Sequence, residues 1–144
     1  MASSATLYTR EVLALATSLS QWPQDPDLPL AGTARSPTCG STVSLALATN
    51  EAGAIIEIGL KAQACAIGQA SAALFAAEAA GRDADNLAAA LEAIRRWLKE
   101  GGELPDWPGF ATIAPARDYP ARHGAILLAW QAALEALSSE PNAR

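Results

Sequence analysis

The side chains in this sequence best suited to soft-metal or sulfur chemistry are the thiols of Cys39 and Cys65 and the imidazole of His123, the single histidine. A deprotonated thiol is the form that ligates soft metals and attacks sulfur. Two thiolates do not by themselves fill a tetrahedral metal site. Free cysteine is also among the most buried residue types and often serves as a small hydrophobe, so residue type alone leaves both readings open. His123 reads either as a partly exposed residue at a helix start or as a ligand or proton carrier. Arg35, Lys61 and Arg122 lie beside the same chain regions, where a cation lowers a thiol pKa or steadies an anionic group.

The spacing of the cysteines predicts that they meet. Val43, Leu45 and Leu47 alternate with smaller or polar neighbours, and Ile56, Ile58 and Leu60 repeat the pattern beyond Asn50-Glu51-Ala52-Gly53; this is a hairpin with one buried face. The midpoint of Cys39 and Cys65 is Ala52, inside the turn. An antiparallel ladder brings residues equidistant from its turn together, which places the two sulfurs in one surface pocket within roughly 7 Å. Cys65 also falls at the start of the next helix, where unpaired backbone N–H groups and the helix dipole attract an anion. The start of the last helix, near His123 to Ala125, is expected to face the same pocket.

The remaining elements follow from hydrophobic period. Tyr8, Val12, Leu15 and Leu19 mark a helix over roughly 5–20, ended by Pro23, Pro26 and Pro29. Gly32 to Ser36 reads as a third, short strand. Ile67, Ala70, Leu74 and Ala77 share one helical face before Gly81. Asp83 or Asp85 caps a helix carrying Leu87, Leu91, Ile94 and Leu98, which ends at Gly101-Gly102. Residues 102–120, with four prolines, read as a long loop with one short helical turn. A final helix over roughly 121–137 packs through Leu127, Trp130, Leu134 and Leu137, ahead of a frayed tail at 138–144. The four tryptophans read as filling separate core edges. The fold class is α+β in a single domain: a small antiparallel sheet of two to three strands with helices on one face.

Composition removes several functions. The 144 residues are 51% apolar and 17% charged, with a net charge of −5, which excludes general disorder and supplies no field for a phosphate backbone or an anionic bilayer. The longest uncharged stretch, Ala62 to Ala77, is alanine-rich and too weakly apolar to span a membrane. No P-loop, Rossmann glycine pattern, HExxH or GxSxG is present. With two cysteines and no secretory leader pattern, the reading is a cytoplasmic protein with reduced thiols.

Several segments together carry a resemblance. They are Pro37-Thr38-Cys39-Gly40-Ser41, then the hairpin, Lys61, Ala64-Cys65-Ala66 and Gly68-Gln69-Ala70-Ser71-Ala72, then Glu78 and Gly81, and finally Pro120-Ala121-Arg122 with Leu128-Ala129-Trp130. In order and spacing, over about residues 7–137, the sequence resembles the iron–sulfur cluster scaffold family, the NifU N-terminal, IscU- or SufU-like domain. That family carries Pro-x-Cys-Gly-Asp, Lys-x-x-Gly-Cys-(Ala/Ser), an Ala/Ser-rich helix ending Glu-x-x-Gly, and in SufU-like members Pro-x-Arg-x-x-Cys-x-x-Leu-Ala-Trp. Ser41 stands where the family has aspartate, and Ala125 aligns with its third cysteine. His123 lies one residue off the histidine of IscU-like members, which immediately precedes that cysteine.

The resemblance implies a SufE/NifU-like fold and a non-enzymatic scaffold or accessory factor without catalytic residues. Iron, zinc or a [2Fe-2S] cluster is then held weakly or in shared fashion by Cys39 and Cys65 with His123, supported by Ser41, Lys61 and Arg122. The implied partners are a cysteine desulfurase, apo-protein clients and a second copy of the chain, with no nucleic acid and no membrane. Two alternatives accompany it: a SufE-like sulfur acceptor carrying a persulfide on Cys65, and a metal-free adaptor.

Overall fold

Thr9 opens the first fully described helix of the computed structural model, which describes residues 7–140. Its hydroxyl accepts the Val12 N–H at 3.1 Å, satisfying one of the orphan donors at a helix start. Helix α1 runs Arg10–Thr17 and tightens into a 3-10 turn over Ser18–Gln21. Val12 is buried, and Tyr8, Leu15 and Leu19 pack against the core from its rim. Positions 5 and 6 of the expected helix lie outside the described residues.

Three strands follow, β1 (Leu30–Arg35), β2 (Thr42–Thr49) and β3 (Ile55–Gln63), in the order β1-β2-β3 with both pairs antiparallel. The third strand anticipated at Gly32 to Ser36 thus begins and ends earlier. Ser36 leaves the ladder to close a loop with Ser41. Val43, Leu45 and Leu47 are buried as their alternation requires. On β3 the expected alternation fails at one end. The register shifts between Ala48 and Thr49, whose partners are Glu57 and Ile55. Ile56 is therefore the extra residue of a bulge, and a bulge reverses the facing of what lies beyond it. Ile55 is buried at 1% exposure, whereas Ile56 is 54% exposed.

Helix α2 spans Ala66–Glu78 and is buried on nearly every side from Ile67 to Ala76, so the single stripe inferred from Ile67, Ala70, Leu74 and Ala77 is too narrow. Ala77 itself is exposed. Helix α3, Ala84–Glu100, is capped by Asp83, and Asn86 returns the hydrogen bond in a capping box; Gly101, in the left-handed region, ends it. The segment expected as a loop with one short turn is ordered further than that. It forms 3-10 helices over Phe110–Asp118 and Pro120–Arg122.

The last helix, α4, spans His123–Ser138. Of its anticipated stripe only Trp130 is fully buried, while Leu127, Leu134 and Leu137 are half-buried. The buried face is instead rich in alanine, including Ala125, Ala129, Ala132, Ala133 and Ala136. The reason is close approach: a Cβ at Gly32 would meet the α4 backbone at Ala132 and Ala136, so α4 lies directly on β1. Trp97, Trp107 and Trp130 do not sit at separate edges. They join Phe75 and Phe110 in one aromatic cluster with centroid separations from 5.1 to 6.2 Å, and Trp22 alone lies apart, half-buried against the core. The result is an α+β fold whose helices cover one face of a three-stranded antiparallel sheet.

Candidate functional site

Cys39 sits on a short loop held shut by its own backbone. Ser36 N–H donates to the Ser41 carbonyl and Gly40 N–H to the Ser36 carbonyl, both at 2.8 Å. Gly40 makes the tight return possible with φ of 74°, a left-handed conformation that costs glycine nothing and L-residues considerably more. The thiol is exposed at the loop's tip and donates to Ser41 Oγ at 3.2 Å.

The second thiol enters from the far end of the hairpin. Thr42 pairs with Gln63 at the open end of the ladder, and the chain then turns directly into α2. Cys65 is the N-cap of that helix, one position ahead of its first turn, with its carbonyl accepting Gln69 N–H and its thiol uninvolved in capping. Cys39 and Cys65 line one open cavity of about 330 Å³, together with Gly40, Ser41, Gln63, Ala64 and Arg122. The prediction that the hairpin would bring both thiols to one pocket is met in this sense.

The Cys39 loop is tuned by hydroxyls. The side chains of Ser36 and Ser41, with the Ser41 backbone, draw the Cys39 pKa below the ordinary thiol value, against a small opposing effect of burial. The Ser41 hydroxyl, which accepts from the thiol at 3.2 Å, is placed to donate to the sulfur once the thiol ionises, and that donation favours the anion. Ser36 Oγ is buried and lacks a partner at hydrogen-bond distance, so its influence on Cys39 is that of a nearby unengaged donor, whereas Ser41 is in hydrogen-bond contact with the sulfur. Ser36 was not legible as a site residue in the sequence. The signal was Gly124: a side chain there would run into Ser36, and only a glycine lets α4 begin on top of this loop.

The remaining predicted residues divide. Ser41, 7% exposed, and Arg122 line the cavity. Arg122 donates through Nη2 to the Tyr8 hydroxyl at 2.9 Å, while its Nε is buried without a partner. His123 is not among the lining residues. Its Nε2 lies 2.6 Å from the Arg117 carbonyl; a carbonyl only accepts, so Nε2 carries the proton and is turned to the 3-10 segment. Lys61 is exposed beside Leu19, Pro23 and Gln24 in a different groove. Arg35 is exposed at the end of β1, beneath the Cys39 loop near Gly40. Ala125 is 1% exposed and abuts Gly68. Of the start of α4 only its N-cap, Arg122, lines the cavity; His123, Gly124 and Ala125 do not, so the expectation that His123 to Ala125 face the pocket is not met.

Among the described residues, no group of three or more His, Cys, Asp or Glu side chains gathers as a metal site. The chemistry the cavity offers is that of two thiols, one hydroxyl, one carboxamide and one guanidinium, with a soft donor pair suited to zinc, iron or sulfur rather than to hard cations. No described helix is long and apolar enough to cross a membrane.

Residues 21–108 match the family model described as the NifU-like N-terminal domain. Among solved structures, a nitrogen-fixing NifU-like protein (N-terminal) from Brucella abortus superposes with a TM-score of 0.83 at 33% identity, covering 91% of this chain and 92% of that one. A candidate iron–sulfur cluster assembly scaffold protein for the SUF system from Fervidobacterium islandicum superposes at 0.77 with 19% identity, covering 94% and 100%, a likeness of fold. No curated protein matches the sequence.

Proposed function

Because the chain belongs to the NifU-like N-terminal domain family, we propose that it is an iron–sulfur cluster assembly scaffold or accessory factor that holds iron, zinc or a nascent [2Fe-2S] cluster through Cys39 and Cys65. The observation that carries the reading is the common cavity of the two thiols. Thiolates are the usual ligands of such clusters, commonly four per cluster, and this chain offers two. Retention by a single chain is therefore weak, and the cargo is easily passed on. Sulfur comes from a cysteine desulfurase and the product goes to apo-protein clients.

Anaerobic purification, followed by metal and acid-labile sulfide analysis of wild type, Cys39→Ser and Cys65→Ser, tests this. Metal or sulfide present in wild type and lost in both variants supports it. Equal metal in all three proteins overturns it.

A second reading is sulfur acceptance, and the exposed position and lowered pKa of Cys39 favour that thiol over Cys65 as the acceptor. The Cys39 thiolate attacks the outer sulfur of a desulfurase persulfide, a Cys39 S–S bond forms, and the donor cysteine leaves as its thiolate. A mass gain of one sulfur on Cys39 after incubation with a loaded desulfurase supports this reading, and a gain confined to Cys65 overturns it.

A further inference from the structure

We propose that the thiol cavity takes a low-molecular-weight thiol bearing a carboxylate, whose sulfur supplies a donor that this chain lacks and whose carboxylate pairs with Arg122. The inference rests on the reading that Cys39 and Cys65 hold a thiophilic metal, and goes beyond it by naming the co-ligand.

The first observation is a cation without an anion. Arg122 lines the cavity, and its hydrogen-bonded partner is the neutral Tyr8 hydroxyl. Its Nε is buried with no acceptor, and among the described residues no carboxylate forms an ion pair with it; the ion pair found there is the exposed Glu92–Arg96 contact on α3. A desolvated charged donor without an acceptor is unfavourable, and a carboxylate is the group whose geometry a guanidinium matches. Among the described residues no acidic side chain lines the cavity. Among the described residues none brings a carboxylate to Arg122, and an anion carried by a ligand is the partner that fits it.

The second observation is the donor count. Two thiols line the cavity, Ala125 does not line it, and His123 is engaged with Arg117. A soft metal held by two thiolates prefers a further thiolate to water. The cavity, about 330 Å³, falls in the range of small-molecule sites and admits a molecule the size of a thiol amino acid. On binding, the incoming thiol loses its proton to solvent as its sulfur joins the metal. No electrons are transferred, and the carboxylate arrives already ionised.

Cobalt(II) under argon is the probe, since its thiolate charge-transfer absorption reports sulfur ligation directly. Cobalt-loaded wild type is titrated with 3-mercaptopropionate and with the neutral 2-mercaptoethanol, compared at equal thiolate concentration. The expected result is at least roughly tenfold tighter binding of 3-mercaptopropionate, the scale of one charge-assisted contact. Arg122→Gln should abolish the difference. In wild type, propionate should weaken 3-mercaptopropionate binding and leave 2-mercaptoethanol unaffected, a comparison that does not depend on the variant folding. Equal binding of the two thiols to wild type overturns the proposal and leaves the scaffold reading standing. Absence of cobalt–thiolate absorption under every condition overturns both.

Discussion

At Cys39 two serines do to a thiol what a charged neighbour does elsewhere. Hydroxyl donors beside the sulfur favour its anionic form, so the thiolate is populated at lower pH than in an ordinary cysteine. Alkylation of Cys39 by iodoacetamide should persist to lower pH than that of free cysteine, and Ser41→Ala should move the midpoint of the rate–pH profile upward. Mass spectrometry of the Cys65→Ser background isolates the signal, and an unchanged midpoint in Ser41→Ala removes that hydroxyl from the argument. A second expectation concerns Ala125. It is buried beside Gly68, and Ala125→Cys should raise the iron and sulfide retained per chain after reconstitution and desalting. The same change combined with Cys65→Ser should not. If wild type already retains as much as Ala125→Cys, the donor count is not what limits binding. The pairing of Cys39 with Cys65 was readable because a hairpin converts sequence symmetry into proximity. Ser36 was not, because its burial comes from Gly124, a contact between segments far apart in the chain.

The elements that present these residues are fixed by close approaches as much as by hydrophobic stripes. Alternation at Val43, Leu45 and Leu47 is enough to reveal β2, while the bulge at Ile56 leaves no trace in a pattern of three consecutive alternating apolar residues. Helix α2, apolar on almost every face, has no dominant stripe to find. For α4 the informative residues are alanines, which a search for large apolar side chains passes over. Gly32 shows why they are there. Gly32→Val would drive a side chain into the α4 backbone at Ala132 and Ala136, a clash that no rotamer relieves. A loss of about 1–3 kcal/mol, the usual scale of overpacking, is expected from urea denaturation. Asp83→Ala, which removes only the α3 cap, should cost about 1 kcal/mol. If Gly32→Val is the milder of the two, α4 does not lie as close to β1 as the structure places it.

On the scale of the whole molecule, the aromatic cluster and the thiol cavity divide the work. Trp97, Trp107 and Trp130 with Phe75 and Phe110 join α2, α3, α4 and the segment between the last two in one core. The cavity instead lies where three chain segments converge: the Ser36–Ser41 loop, the passage from β3 into α2, and Arg122 ahead of α4. A metal bound across the first two segments exists as a site only when the sheet and α2 are folded. Ligand that binds the native state alone stabilises it by RT ln(1 + [L]/Kd), about 2.7 kcal/mol at a hundredfold excess over Kd. Zinc should therefore raise the thermal midpoint of wild type in calorimetry, with an increment that grows with the logarithm of free zinc. The increment should be smaller than the equation gives, because the same two thiols also bind zinc in the unfolded chain. Cys39→Ser and Cys65→Ser should each lose it, since one remaining thiol no longer ties the loop to α2. A zinc-dependent rise of equal size in the double variant would show that the metal binds elsewhere, and the cavity would then have to be understood through its thiols and Arg122 without a metal.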